Sequence, residues 1–442
     1  MREKVAIIGA GSAMFTRGLV ADLIGRGWES DLALVDTDPR ALETAHGLVK
    51  KMIEAKRAPL RLSASTDRRR VLPGATAVIC TIGVGGRRAW EKDVFIPRKH
   101  GIFQPVGDTV MPGGTSRALR MIPPMVSIAR DVLDLAPGAL FFNYGNPMAP
   151  VCRAIRKATG ARIVGLCHGV FGVAGYLAEQ LGVDRKEMRW TAVGMNHLTW
   201  FTEVRARGTD AMPRLREIAR KKLAVKGRKD NPFSWELLLL FGGFPACMDR
   251  HVSEFFPWLF PRGRYQGKTL GLSIISLEET IEWGDRIYAA MRRDALSRRP
   301  LGDDYFEKLS GEHEQVLDII ESIRNDAGDV YSANLPNTGT VPNLPNDAIL
   351  ETPTIATGAG LKAIAQPPLP AGIAGTLATR LCWVETVVEA ALEGSRDKFV
   401  AALVLDGAVS SLRTAAALAD DLLAAHAKYL PRFRAARSRS PA

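Results

Sequence analysis

The chain has 442 residues, 46% of them hydrophobic and 24% charged, with a formal net charge of +12. That balance belongs to an ordinary globular protein with room for two or three subdomains, and it excludes a disordered or low-complexity chain. The basic excess falls in short runs (Arg68-Arg69-Arg70, Arg220-Lys221-Lys222 and a tail from Arg432 to Arg439) without interleaved aromatics, so no nucleic-acid partner is expected, while a pocket for an anionic small molecule stays open.

In chain order, the first apolar run, Val5 to Ile8, is broken by glycine too soon for a signal peptide, and no later stretch reaches 18 apolar residues. A cytoplasmic protein without membrane contact is expected. Val5–Ile8 reads as a buried strand, Ala13 to Arg26 as a crossover helix, Leu32 to Val35 as a second strand and Pro39 to Ala55 as a second helix. Strands are expected again at Ala77 to Ile82, Gly138 to Asn143 and Ala161 to Leu166, the pattern of a parallel sheet with crossover helices. Polar motifs stand just past the ends of these strands, where open α/β sheets bind ligands.

Gly9-Ala10-Gly11-Ser12, between the first strand and helix, lets the backbone approach a pyrophosphate at a helix N-terminus. The third glycine of the usual fingerprint is replaced by Met14. Asp36, 25 residues past Gly11 (36 − 11) at the end of the second strand, suits the adenosine ribose hydroxyls and repels a 2′-phosphate, which favours NAD over NADP. Farther on, the glycine-dense loop from Gln104 through Gly107-Asp108-Thr109 to Gly113-Gly114 opens a helix and reads as functional. Arg117 and Arg120 share one face of that helix, where each suits an anionic group or a structural ion pair equally. In Asn143-Tyr144-Gly145-Asn146-Pro147-Met148, a strand-end asparagine can meet a ribose or a sugar hydroxyl, or cap the next helix.

The five cysteines are odd in number and scattered, which disfavours disulfides. Cys167 and His197, 30 residues apart (197 − 167), lack zinc-finger spacing, yet each follows a strand at a glycine-flanked turn. A mixed Cys/His site with open positions would take a transition metal that also grips substrate oxygens. Beyond residue 191, helical patterns are expected at 214–225, 272–294, 303–324 and 373–430. An ordered loop is expected at Asn334 to Asn346, whose three prolines and four asparagines exclude helix.

Six ordered motifs, GAGS, GDTxxPGGxxRALR, NYxNPM, CHGV, GMNHLTW and NLPNTGTVPNLPND, run over nearly the whole chain and resemble glycoside hydrolase family 4. The resemblance implies an α/β fold: a Rossmann-type NAD domain over residues 1–190 and a largely helical, lactate/malate-dehydrogenase-like α+β substrate domain over 191–442. It implies a glycosidase that uses NAD and Mn²⁺, or another divalent transition metal, in place of paired carboxylates. The family scheme oxidises the sugar at C3, removes the C2 proton, eliminates the C1 oxygen, adds water and returns the hydride, with the metal on the C2 and C3 oxygens.

Carried over by position, Cys167 and His197 match the metal ligands. Gly9, Gly11, Ser12, Phe15, Asp36, Gly83 and Asn143 are placed at NAD, and Asn146 at the sugar. The stretch Cys247 to Pro257 points to Asp249 as the C2 base, with Tyr265 and Glu254 as alternatives and His168 as a further catalytic residue. Arg87, Arg120, Arg250 and His251 are placed at the substrate. His168 after the ligand cysteine, where the phospho-sugar branch has Asp or Asn, points to unphosphorylated α-glycosides. The Cys-His-Gly form, the arginines and the net charge point to α-galacturonides or α-glucuronides, with a neutral α-glucosidase or α-galactosidase as the alternative. A 2-hydroxy-acid dehydrogenase would need an aspartate after His168-Gly169, which the chain lacks, and a non-catalytic NAD sensor would survive loss of Cys167. The apolar C-terminal helices leave room for a homodimer or homotetramer.

Overall fold

The computed structural model describes residues 2–225, 230–260, 276–309 and 315–433. The short aliphatic runs of the first half form strands, most of them followed by an α-helix that returns over the sheet. They are β1 (Lys4–Ile8), β2 (Ser30–Val35), β3 (Leu60–Ser65), β4 (Ala77–Cys80), β5 (Leu140–Asn143) and β6 (Ile163–Gly165). All are parallel, in the order β3-β2-β1-β4-β5-β6 of a doubly wound dinucleotide-binding sheet.

β3 escapes the sequence pattern. It is an edge strand with only Leu60 buried, so it carries no apolar run. The second helix, α2 (Pro39–Lys56, after α1, Thr16–Gly25), shows a complete start signal: Asp38 accepts the N–H groups of Arg40 and Ala41, and Pro39 holds the first position. The remaining crossover elements are α3 (Gly86–Lys99), α4 (Met111–Leu135), α5 (Met148–Thr159) and α6 (Gly169–Leu181).

Alternation along the strands divides the core. Val5, Ile7, Leu32 and Leu34 face Leu19, Val20 and Leu48, while Ala6, Ile8, Ala33 and Val35 face the opposite layer with Leu119, Ile122 and Val126.

The sheet then runs on past β6. β7 (Met188–Met195) and β8 (Leu198–Ala206) form a hairpin extended by β9 (Thr209–Asp210) and β10 (Phe244–Pro245), and β11 (Val330–Pro336), β12 (Ile349–Thr357) and β13 (Gly360–Ala363) complete the set. Antiparallel β11 joins the parallel half at Asn334↔Gly165, and β12 reaches the hairpin at Glu351↔Gly194. The described strands form one 13-stranded sheet, and the expected limit between residues 190 and 191 falls inside β7.

The expected helix at 214–225 is Met212–Ala224, and that at 272–294 is Leu277–Leu296, with 272–275 outside the described residues. The pattern at 303–324 resolves into Asp303–Glu307 and Val316–Arg324. The long C-terminal pattern is three helices, Ala371–Glu393, Arg396–Asp406 and Leu412–Ala425. The first two end on left-handed Gly394 and Gly407, residues whose breaking role the apolar periodicity masks. Asn334 to Pro336 finish β11; beyond them the loop is ordered as expected, because the Asn337 amide donates to the carbonyls of Val341, Leu344 and Pro345. No helix among the described residues is long and apolar enough to cross a membrane.

Candidate functional site

The turn after β1 is held from both sides. Gly9 and Ala10 donate to the Val35 carbonyl at 2.8 and 2.9 Å, Thr81 Oγ1 donates to the Gly9 carbonyl, and Ser12 closes back on the same carbonyl at 3.0 Å. The Gly11 N–H donates to Asp36 Oδ2 at 2.8 Å, and Asp38 N–H donates to Oδ1 at 2.9 Å. A side chain at position 11 would bring Cβ to 2.6 Å from the Ala41 Cβ and 2.7 Å from Asp36 Oδ2, so this glycine lets the carboxylate close over the turn. Phe15 packs its ring against Tyr144, with centroids 5.2 Å apart. Gly83 follows β4 on the same strand-end edge.

Asn143 departs from its expected place at the cofactor. It is fully buried: Nδ2 donates to the Gly145 carbonyl at 2.9 Å and contacts Met148 Sδ at 3.1 Å, and Oδ1 accepts the Gly145 N–H. Its amide is thus spent on that turn.

Four chain segments converge beside this edge. Cys167 lies between β6 and α6, His197 in the β7–β8 turn, Cys247 just after β10, and Asp108-Thr109 just before α4. One ligand atom from each of Cys167, His197 and Cys247 lies within 4.8 Å of the others, and the same holds for Asp108, His197 and His251. At Gly169 a Cβ would come within 2.5 Å of Cys247 Sγ and 3.5 Å of Cys167 Sγ, so the bare backbone there lets the two sulfurs meet. The Gly169 N–H, at the start of α6, also donates to Cys167 Sγ at 3.4 Å.

Thr109 orients the shared histidine. Its hydroxyl donates to Asp108 Oδ1 at 2.8 Å and so accepts from His197 Nδ1 at 2.7 Å, which leaves Nε2 with its lone pair for a metal. A hydrogen bond from Cys247, with help from His197, holds the Cys167 thiol well below its ordinary range, while Cys247 is pushed up by the same bond. Burial drives the His251 pKa down, which keeps it neutral. Burial opposes the charge on Asp108, but the Arg117 guanidinium and the hydrogen bond from Thr109 favour the carboxylate, which is held below its ordinary range. Behind the sulfurs, buried Glu351 accepts from Thr199 Oγ1 at 2.6 Å, and burial followed by the Cys167 charge raises its pKa to about 7.

Beside Asp108, Asn146 Nδ2 reaches Oδ2 at 3.4 Å, and Arg117 Nε donates to the Asn146 carbonyl at 3.0 Å. His168 is exposed at the position that begins α6, next to Cys167. Arg250 is partly exposed beside His251 and makes no ion pair among the described residues.

Three expected contacts are overturned. Asp249 is fully buried and accepts from Ser234 N and Oγ, both at 2.8 Å, and from Phe233 N at 3.4 Å; it caps helix Pro232–Phe241 instead of serving as the base. Arg120 forms a buried bidentate pair with Asp93 and donates to the Val84 carbonyl, so the ion-pair alternative holds for it. Arg87 is paired with Asp285 of helix Leu277–Leu296. Tyr265 lies outside the described residues. The sequence reading missed Cys247, Asp108, Thr109 and Glu351 as members of the cluster. Asp108 and Thr109 stood in a loop marked as functional and Cys247 in the stretch searched for a base, but nothing in linear spacing joins them.

Residues 4–183 match the family 4 glycosyl hydrolase profile, and residues 192–409 match the family 4 glycosyl hydrolase C-terminal domain. An alpha-galactosidase of Rhizobium meliloti is 33% identical over 97% of this chain and 89% of its own length. An alpha-galacturonidase of Bacillus subtilis is 32% identical over 88% of this chain and 89% of its own length. The crystal structure of lplD from Bacillus subtilis superposes with a TM-score of 0.86 at 29% identity, covering 96% of this chain and all (100%) of that one. A 6-phospho-alpha-glucosidase from gut microorganisms, crystallised with NAD and Mn²⁺, shares the fold at a TM-score of 0.81 and 21% identity over 98% and 99% of the two chains. A malate dehydrogenase of Cryptosporidium parvum shares it more distantly, at 0.53 and 13% identity over 89% and 99%. The chain belongs to the family 4 glycosyl hydrolases.

Proposed function

We propose that this family 4 glycosidase hydrolyses α-glycosides of uronic acids, with NAD at the Gly9–Asp36 turn and a divalent metal at Cys167 and His197. The observation that carries the reading is the convergence of Cys167, His197, Cys247, Asp108 and His251 beside the dinucleotide turn. The residues fit both groups. A Cβ would fill the cradle at Gly11, and around the thiols the buried atoms His251 Nδ1, Asn196 Oδ1 and Glu351 Oε1 have no hydrogen-bond partner among the described residues. The gut 6-phospho-alpha-glucosidase of like fold, described with NAD and Mn²⁺, supports the pairing. When bound, NAD supplies reversible oxidation at C3 of the sugar, and the metal supplies Lewis acidity at its C2 and C3 oxygens.

The protein's own part is to bind, orient and move protons. Asp108 and Asn146 hold the sugar edge between the metal ligands and α4. Arg117, with Nε engaged on Asn146, presents its outer guanidinium nitrogens to the uronate carboxylate, and Arg250 flanks the opposite side. Glu254, the other alternative base beside Tyr265, is fully buried, and burial holds its pKa well above the ordinary carboxylate range. One of its oxygens accepts from the Gly107 N–H, and the C2 base of this reading is Tyr265, which lies outside the described residues.

A panel of p-nitrophenyl α- and β-glycosides and uronides, assayed in D₂O with NAD⁺, Mn²⁺ and a reductant, tests this. The expected result is turnover of α-uronides, deuterium at C2 of the released sugar and no net NADH. Hydrolysis without deuterium would sink the redox-elimination scheme, and net NADH would mark a dehydrogenase. Tyr265→Phe should stop C2 exchange, whereas Asp249→Asn should keep it at reduced stability. The Rhizobium meliloti alpha-galactosidase favours a second reading, a neutral α-galactoside, which the same panel separates.

A further inference from the structure

We propose that Cys247 is a third protein ligand of the metal, which makes the centre a two-thiolate, one-imidazole site selective for a thiophilic divalent ion of the zinc, cobalt or iron class over Mn²⁺. This rests on the metal centre at Cys167 and His197 argued above.

The geometry is that of a ligand set waiting to close. In a tetrahedral site with metal–sulfur bonds of about 2.3 Å and metal–nitrogen bonds of about 2.0–2.1 Å, the donor atoms stand roughly 3.4–3.8 Å apart. Here the donors of Cys167, His197 and Cys247 already lie within 4.8 Å of one another. Three features keep Cys247 there. The missing side chain at Gly169 leaves room for its Sγ, which a Cβ would approach to 2.5 Å. β10 pairs with β8, the strand that leaves His197, at Phe244↔Phe201 and Pro245↔Trp200, and so ties the Cys247 segment to the His197 turn. Both His197 and Met248, next to Cys247, occupy the left-handed region at φ 66° and 46°, a conformation that costs a non-glycine residue energy and here aims the two ligand segments inward. Three protein ligands would leave one position of a tetrahedral set for a substrate atom, the arrangement of a catalytic metal. Thiolates select soft or borderline ions, whereas Mn²⁺ prefers oxygen donors and a larger coordination number.

The competing account makes Cys247 only a hydrogen-bond donor to Cys167. Cobalt separates the two, because the thiolate-to-cobalt charge-transfer band grows with the number of bound sulfurs. The metal-stripped, NAD-loaded full chain, kept reduced with a phosphine, is titrated with Co²⁺ and then with Zn²⁺ and Mn²⁺ in competition. Cys247→Ser should halve the band per cobalt and weaken Zn²⁺ binding roughly 10–100-fold, the scale on which metal surroundings act, with Mn²⁺ affinity nearly unchanged. Cys247→Asp should turn the preference toward Mn²⁺. Equal band intensity and equal zinc affinity in wild type and Cys247→Ser would overturn the third ligand. Cys167→Ser is the control for the underlying site: if it also leaves the band unchanged, the metal centre itself is misplaced, whereas its loss beside an unaffected Cys247→Ser condemns the third ligand alone. NAD affinity and thermal midpoint report that each variant is folded.

Discussion

The dinucleotide turn and the thiol–imidazole centre share one edge of the sheet but are assembled differently. The turn takes Gly9, Gly11 and Asp36 from a single strand-helix-strand unit, and its hydrogen bonds close within those residues and Thr81. The centre draws Thr109, Cys167, His197 and Cys247 from four segments, and they meet only because β6, β7, β8 and β10 belong to one continuous sheet. Damage to the first should therefore stay local. The second should respond to changes in the frame around it.

The strongest way to separate them is His197→Ala, which removes the ligand common to both trios. Turnover should fall about 10³-fold or more, the several kcal/mol expected of a lost Lewis acid, while NAD affinity measured by fluorescence stays within about twofold. An equal loss of NAD binding would show that the two regions are one unit.

Next comes the frame. Arg120→Ala takes the guanidinium from fully buried Asp93, which keeps only His426 Nε2 at 2.9 Å among the described side chains paired with it, and should cost about 3–5 kcal/mol in chemical denaturation. Arg87→Ala breaks an ion pair with a half-exposed partner and should cost under about 1 kcal/mol. A rise in KM without loss of stability in Arg120→Ala would restore it to the substrate.

Gly11→Ala should push the Asp36 carboxylate aside and weaken NAD roughly 10–100-fold, or about 1.4–2.8 kcal/mol, without changing metal affinity by equilibrium titration.

A pH slope adds a further test of the frame. Asp406, buried under the Met111 N–H at the start of α4, has its carboxyl raised by burial from 3.8 to about 6, with Arg380 opposing. The folded state thus holds this proton more tightly than the unfolded chain. Its contribution is fully present below pH 4, is lost as pH rises through 6 and is flat above that. Denaturation between pH 4 and 6 should show stability falling by on the order of 1 kcal/mol per pH unit, a slope that Asp406→Asn removes.

Much of the first region was legible in linear form. The run Val5–Ile8, the Gly9-Gly11 turn, the Asp38-Pro39 helix start and Asp36 are all signals within a few residues of their targets. The second region was half legible. Cys167 and His197 stood out because a glycine-flanked turn after a strand marks a place where side chains meet. Asp249 misled because a carboxylate in a polar stretch looks the same whether it faces a substrate or the open N–H groups of another helix. Arg87 and Arg120 misled likewise, since their partners Asp285 and Asp93 sit on other faces of the chain.

The sequence by itself determined the parallel sheet, the cofactor turn and the family to which the chain belongs, because strand periods, glycine positions and ordered motifs act through neighbours along the backbone. Only the tertiary structure decided which arginines were already paired, that Asp249 is a helix cap, and that Cys247 stands beside Cys167. Those outcomes depend on burial and on distances between segments from 15 to 198 residues apart, which no local pattern encodes.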